Sequence, residues 1–190
     1  MPHHYYILLM KAGPYCGYPL DEIIRIKERE ERMCGKFFWG YGGVFCRPHI
    51  VKVFVSCAQA QKEKVSVLFS ETPSSFRASQ EGRFTDFSPD RVRWSPLNKK
   101  VLLVGNKRVP HFAITARNLR KVRVELNLAD YCPFAPPGLF PEKSKRLDEY
   151  FRYRVDKACG IYAPQHKARG RVIEINYAAD LVDPFCVYIR

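Results

Sequence analysis

The sequence predicts an α+β domain, a single compact unit with a mixed sheet and a few helices, and three observations carry that prediction. Of 190 residues, 46% are hydrophobic and 27% charged, the balance of a globular chain able to bury one core. Short β-branched or aromatic runs recur along the chain, while only two stretches have helical spacing. Strands and helices also fail to alternate regularly, which argues against a doubly wound parallel sheet. No repeat or low-complexity tract interrupts residues 1–190.

Residues 5–10 form an aromatic and aliphatic run stopped by Gly13-Pro14, and read as a buried strand. Leu20, Ile23, Ile24 and Met33 have helical spacing, with Asp21 and Glu22 in the first turn and Gly35 as the stop. The charged run 25–32 reads as the solvated face of that helix, carrying local ion pairs. Residues 35–49 hold an aromatic strand and a glycine turn, and the β-branched run 50–55 follows as the next strand. Residues 65–69 give another strand, closed by Thr72-Pro73. Residues 77–100 are rich in Ser, Pro and charge and read as a long basic loop with Trp94 as its anchor.

Residues 101–104 read as a short buried strand and 114–118 as a helical turn. Residues 122–128 alternate apolar and polar, as a strand with one wet face does. Residues 132–142 contain four prolines and read as a proline-rich connector. Ser144 then caps a second helix whose Leu147, Tyr150, Phe151 and Val155 share a face. Residues 171–177 and 185–189 close the chain as two strands.

The chain carries 32 Lys and Arg against 19 Asp and Glu, a formal net charge of +13. Such a surplus favours polyanions, with nucleic acid as the leading class. The charge is concentrated. Between 77 and 123, twelve cations (Arg77, Arg83, Arg91, Arg93, Lys99, Lys100, Lys107, Arg108, Arg117, Arg120, Lys121 and Arg123) face three acids (Glu81, Asp86 and Asp90). Phe84, Phe87, Trp94 and Phe112 are interleaved with them. Cations that follow phosphates, among rings that stack on unpaired bases, describe a DNA-binding face. Taken singly, each ring is more simply a core residue.

Seven cysteines occur with no Cys-x-x-Cys pair, so no zinc signature is present. They read as small buried apolar residues of a reduced, cytoplasmic protein. The apolar run at the N-terminus lacks a basic flank and is too short for a signal peptide or membrane insertion.

In residues 37–49, Gly40, Gly42 and Gly43 let backbone approach a ligand and offer N–H groups to phosphate, while Arg47 adds a fork of donors. His49 is near enough to serve as acid or base. A Walker A motif is absent throughout the chain, and on glycine spacing alone a hairpin turn between two apolar strands is the better reading.

The chain length, its basic charge, the opening Met1-Pro-His-His-Tyr-Tyr-Ile-Leu-Leu-Met and the segment Phe37-Phe38-Trp39-Gly40-Tyr41-Gly42-Gly43-Val44-Phe45-Cys46-Arg47-Pro48 resemble the plasmid fertility-inhibition proteins. The resemblance implies a ParB/sulfiredoxin-like fold in a bacterial cytoplasmic protein with ATPase and DNase activities. It implies action on T-DNA or a co-resident plasmid, on the transferred single strand or at the conjugative transfer machinery on the inner face of the membrane. Gly42-Gly43-Val44-Phe45-Cys46-Arg47 is similar to the Gly-Gly-Cys-His-Arg segment of sulfiredoxins, which assigns nucleotide phosphate to Gly42, Gly43 and Arg47. Val44 and Phe45 separate the glycines from Cys46, and no His precedes Arg47, so no thiol chemistry transfers to Cys46.

Phosphodiester or phosphoanhydride cleavage needs cations for the phosphate, a base to orient water and often a metal held by carboxylates. The expected set is Arg47, His49 and Glu71 as catalytic residues, Glu71, Asp86 and Asp90 as ligands of Mg²⁺, and ATP as a substrate. His111, after Pro110 in the basic region, is a further candidate base. The alternative is a binding inhibitor without chemistry, using the same basic face to occupy DNA or the transfer machinery.

Overall fold

A computed structural model describes residues 6–15, 17–42, 46–72, 82–105, 111–134, 159–162 and 172–190. Its centre is β1 (Tyr6–Ala12), buried on both faces. β1 lies parallel to β3 (Val65–Glu71) and antiparallel to β10 (Cys159–Tyr162), which in turn pairs with β9 (Cys132–Pro133). On the other side β3 pairs with β11 (Val172–Ile189), β11 with β8 (His111–Asn127), and β8 with β2 (Phe37–Gly42). The seven strands run β2-β8-β11-β3-β1-β10-β9 in a mixed sheet, accompanied among the described residues by two α-helices. The α+β architecture therefore stands.

α1 (Leu20–Cys34) forms where its apolar spacing and acidic first turn place it, and Gly35 ends it at φ 70°, donating its N–H to the Glu31 carbonyl at 2.8 Å. Its charged run is not wholly solvated. Lys27 and Glu30 are only 5% and 0% exposed, because their side chains bind residues that pack against the helix.

The largest correction concerns residues 50–55, which are helical rather than extended. α2 spans Pro48–Ala60, with Pro48 at its start, where a missing N–H costs nothing. Beyond Pro48, its buried residues are Ile50, Val51, Phe54, Val55 and Ala58. Their spacing is that of one helical face, and that periodicity overrides the strand preference of the β-branched side chains.

Residues 114–118 are strand, not a helical turn, because β8 continues through them for 17 residues. Residues 171–177 and 185–189 are likewise not separate strands. From Val172 they belong to one 18-residue β11, with register shifts at three places, the largest between Leu181 and Cys186. The expected strand at 101–104 is reduced to β7 (Val104–Gly105), paired with β4 (Gly82–Arg83). Of the proline-rich stretch 132–142, Cys132 and Pro133 form β9, and residues 135–142 lie outside the described residues, as does the helix expected from Ser144.

The basic loop expected at 77–100 is, from residue 82, a packed layer. It contains β4, β5 (Asp86–Ser88) and β6 (Ser95–Pro96), and β5 pairs with the end of β11. Strand alternation explains why it is needed. Phe37, Trp39, Phe112, Ile114 and Cys186 enter the main core with Val51, Phe54 and Val55 of α2. Phe38, Ala113, Val187 and Ile189 point to the other face, and Phe84, Leu97, Val101 and Leu103 of the layer bury them in a second core. Gly40 belongs to this contact. A Cβ at that position would meet the Leu103 Cδ2 at 3.0 Å.

α1 is fastened to the same layer. The Glu30 carboxylate accepts the Lys27 ammonium at 2.8 Å, the Leu102 N–H at 2.7 Å and the Phe38 N–H at 3.3 Å. Lys27 also donates to the Leu102 carbonyl at 2.7 Å. Burial lowers the Lys27 pKa, while Glu30 opposes the shift. One helix turn thus closes backbone groups of β2 and of the layer that would otherwise be buried unpaired.

Candidate phosphate site and basic face

Gly42 is the last residue of β2 and faces His111, the first of β8, in the ladder. The chain then passes Cys46 and enters α2, so the glycine segment joins a strand to a helix rather than one strand to another. Gly43 lies outside the described residues. Arg47 is the N-cap of α2 and its exposed side chain makes no capping bond, while His49, exposed in the first turn, follows Pro48. The Arg47 carbonyl accepts the Ile50 and Val51 N–H groups at 2.9 and 3.0 Å. No acid occupies the first turn, so the helix itself supplies no negative charge to offset the positive end of its dipole.

Below this junction the Tyr41 hydroxyl donates to the Cys46 carbonyl and lies 3.0 Å from the Cys186 Sγ. Burial raises the Tyr41 pKa well above its ordinary value, and raises that of Cys186 to about 12. A thiol held protonated is a poor nucleophile, in keeping with a structural place for Cys186; Cys46 is likewise buried and not in a disulfide. Nothing in the residue spacing linked Tyr41 to Cys186, 145 positions away.

Asp86 and His111 are at this same end of the sheet, since Ile189 pairs with both His111 and Phe87. His111 lies against Phe84 with ring centres 5.1 Å apart. Glu71 does not join them. It ends β3, its N–H donates to the Asn176 Oδ1 at 2.7 Å, and it lies beside Tyr177, whose pKa is raised by burial and then by Glu71, Asp21 and Glu28. Tyr177 pairs with Phe69 and with Lys121, and Ile189 pairs with His111, ten positions from Lys121 along β8, about 33 Å of extended strand. Glu71 therefore lies toward the opposite end of the sheet from Gly42 and His111. Tyr177, though not Glu71, lines a cleft of 290 Å³ where Asp21, Arg25 and Glu28 of α1 face Arg120 and Lys121 of the sheet.

The other expected metal ligands are engaged within the layer. Asp86 accepts from the Thr85 hydroxyl at 3.0 Å and pairs with Arg190 at 3.8 Å. The Asp90 Oδ1 accepts from the Ser88 hydroxyl and the Val92 and Arg93 N–H groups at 2.8–2.9 Å, which holds its pKa down at about 2. Glu71, Asp86 and Asp90 thus do not converge, and among the described residues no three His, Cys, Asp or Glu side chains form a metal site.

The cations fall into two sets. In the layer, Arg91, Arg93, Lys99 and Lys100 are exposed, whereas Arg83 is structural, its guanidinium donating to the Lys99 carbonyl and, at 2.9 Å, to that of Val101. On β8, Arg117 and Lys121 are exposed, Arg120 pairs with Asp180 at 3.2 Å, and Arg123 is 3.8 Å from Glu174. Arg77, Lys107 and Arg108 lie outside the described residues. Of the interleaved rings, Phe84 and Phe112 are core and cannot stack on a base, and Phe87 packs on Phe38. Trp94 belongs to neither core and carries the Arg190 guanidinium 4.2 Å from its ring centre. No helix among the described residues is long and apolar enough to cross a membrane.

Comparison with known proteins finds no matching family model, curated protein or solved structure.

Proposed function

We propose that this chain is a fertility-inhibition protein of the oncogenic-suppression kind, with a ParB/sulfiredoxin-like fold, that blocks DNA transfer by engaging the transferred strand on its basic face and cleaving phosphate esters. The supporting observation is the β2–α2 junction, where a glycine-ended strand leads into a helix whose exposed N-cap is Arg47 and whose first turn has no acid. That arrangement suits a nucleotide or DNA phosphate. Arg47 binds the phosphate and offsets the charge that develops on it. His49 or His111 orients water, and ATP and DNA are the substrates in this reading. A divalent metal such as Mg²⁺ would supply a polarised water and charge neutralisation when bound.

The engagement of Asp86 and Asp90 within the layer favours a second reading, a basic inhibitor that occupies DNA or the transfer machinery without chemistry. Cleavage of labelled DNA and release of phosphate from ATP, each with Mg²⁺ or EDTA, separate the two readings. Under the first, Arg47→Ala abolishes turnover and leaves the melting temperature intact, while Glu71→Ala, at the far end of the sheet, cuts as wild type does. Equal cutting by wild type and Arg47→Ala refutes the site. Salt-sensitive binding without turnover hands the assignment to the inhibitor.

A further inference from the structure

The packed layer contains large apolar side chains of two kinds. Phe84, Leu97, Val101 and Leu103 fill the second core. Trp94 and Val92 do not: Val92 is 79% exposed, and Trp94 is half-buried outside both cores. They are held on a preorganised turn, since the Asp90 carboxylate receives three hydrogen bonds from Ser88, Val92 and Arg93. Arg91 adopts φ 66° in that turn and lies over the Tyr188 ring at 5.9 Å. Arg190 lies over Trp94, and its main chain is fixed to Thr85 and Asp86 by hydrogen bonds of 2.8 and 3.1 Å.

We infer that Trp94 is a stacking platform for an unpaired base, with Arg190, Arg91 and Arg93 taking the flanking phosphates, so that this surface prefers single-stranded to duplex DNA. A guanidinium seated 4.2 Å from the indole centre shows that a planar cationic group reaches a ring face. A base takes that place, and Arg190, tethered through its backbone, gives up the Trp94 ring and its 3.8 Å pairing with Asp86 for the adjacent phosphate. Exposed Lys99 and Lys100 belong to the same layer and extend the path of positive charge. A base paired inside a duplex has no free face to give Trp94, whereas phosphates are available on both forms. Preference for one form therefore rests on the ring and overall affinity on the cations. The inference deepens the DNA-binding reading above and depends on it.

The test is equilibrium binding of a labelled oligothymidylate and of a duplex of equal length, at one fixed salt concentration, to wild type, Trp94→Ala, Trp94→Leu and Lys99→Gln/Lys100→Gln. Removing the ring is expected to weaken oligothymidylate binding by about 5- to 150-fold, the range for loss of one base stack, with duplex binding changed less than about twofold. The lysine pair is expected to weaken both forms alike, by release of fewer counterions. Trp94→Leu keeps apolar volume without a π face, so it follows Trp94→Ala if stacking is the cause, even where the alanine variant melts early. Equal loss on both forms, or no loss on either, overturns the platform while leaving DNA binding in place. A wild-type protein that binds neither form overturns the platform and the DNA-binding reading together.

Discussion

Replacing Glu30 by alanine removes the carboxylate that three donors share. The Lys27 ammonium, the Phe38 N–H and the Leu102 N–H all end on Glu30, and both charged residues are buried. Removing one partner of a buried pair typically costs about 3–5 kcal/mol, because the surviving charge has neither water nor a counter-ion. Lys27 retains the Leu102 carbonyl and escapes part of that cost by losing its proton, so the lower end applies, about 3 kcal/mol. For a chain of this size that is a fall of roughly 6–12 °C in melting temperature. The pH dependence has a definite sign. The folded-state pKa of Lys27 lies below the ordinary value of 10.5, so the unfolded chain binds more protons between the two values and stability rises with pH there. Loss of Glu30 lowers that pKa further and widens the window. The gap between Glu30→Ala and wild type should thus narrow as melts are taken from neutral pH toward 10. A double variant, Lys27→Met/Glu30→Leu, should recover part of the loss by removing both charges, although the Phe38 and Leu102 N–H groups stay unpaired. A melting temperature within about 2 °C of wild type for Glu30→Ala, or a gap that widens with pH, refutes the reasoning.

Gly40→Ala sets a methyl group 3.0 Å from the Leu103 Cδ2; a loss of about 1 kcal/mol is expected, relieved in Leu103→Ala, as a double-mutant cycle on thermal melts would show. Asp90 should titrate near 2 when followed by NMR, with the Val92 and Arg93 amides moving alongside; any stability it contributes is present above the ordinary carboxylate pKa and is lost as pH falls toward 2. Cys186, with its thiol pushed up to about 12, should resist alkylation in the folded protein at mildly alkaline pH, whereas half-buried Cys34 and Cys57 react. Mass spectrometry of the alkylated peptides reads that difference directly.

Local patterns in the chain determined α1, β1, β3 and residues 122–127 of β8, because each is a helical face, a continuous apolar run or an alternating strand legible over its own length. The basic surplus and the candidate phosphate residues around Gly42 and Arg47 were legible for the same reason, being clustered in sequence. The β-branched run at 50–55 misled because strand preference is a property of single residues, whereas the helical face of α2 emerges only across Pro48 to Ala58 and acquires its value by packing on the sheet. What tertiary structure alone decided lies at long separations. It placed Glu71 toward the opposite end of the sheet from Ile189, set Lys27 and Glu30 against Leu102, and joined Tyr41 to Cys186. It also made residues 82–105 the cover of a second core, since Phe38, Ala113 and Val187 alternate out of the first one. Sequence spacing measures neighbours along the chain, and burial, pairing and the distance between charges are set by neighbours across the sheet.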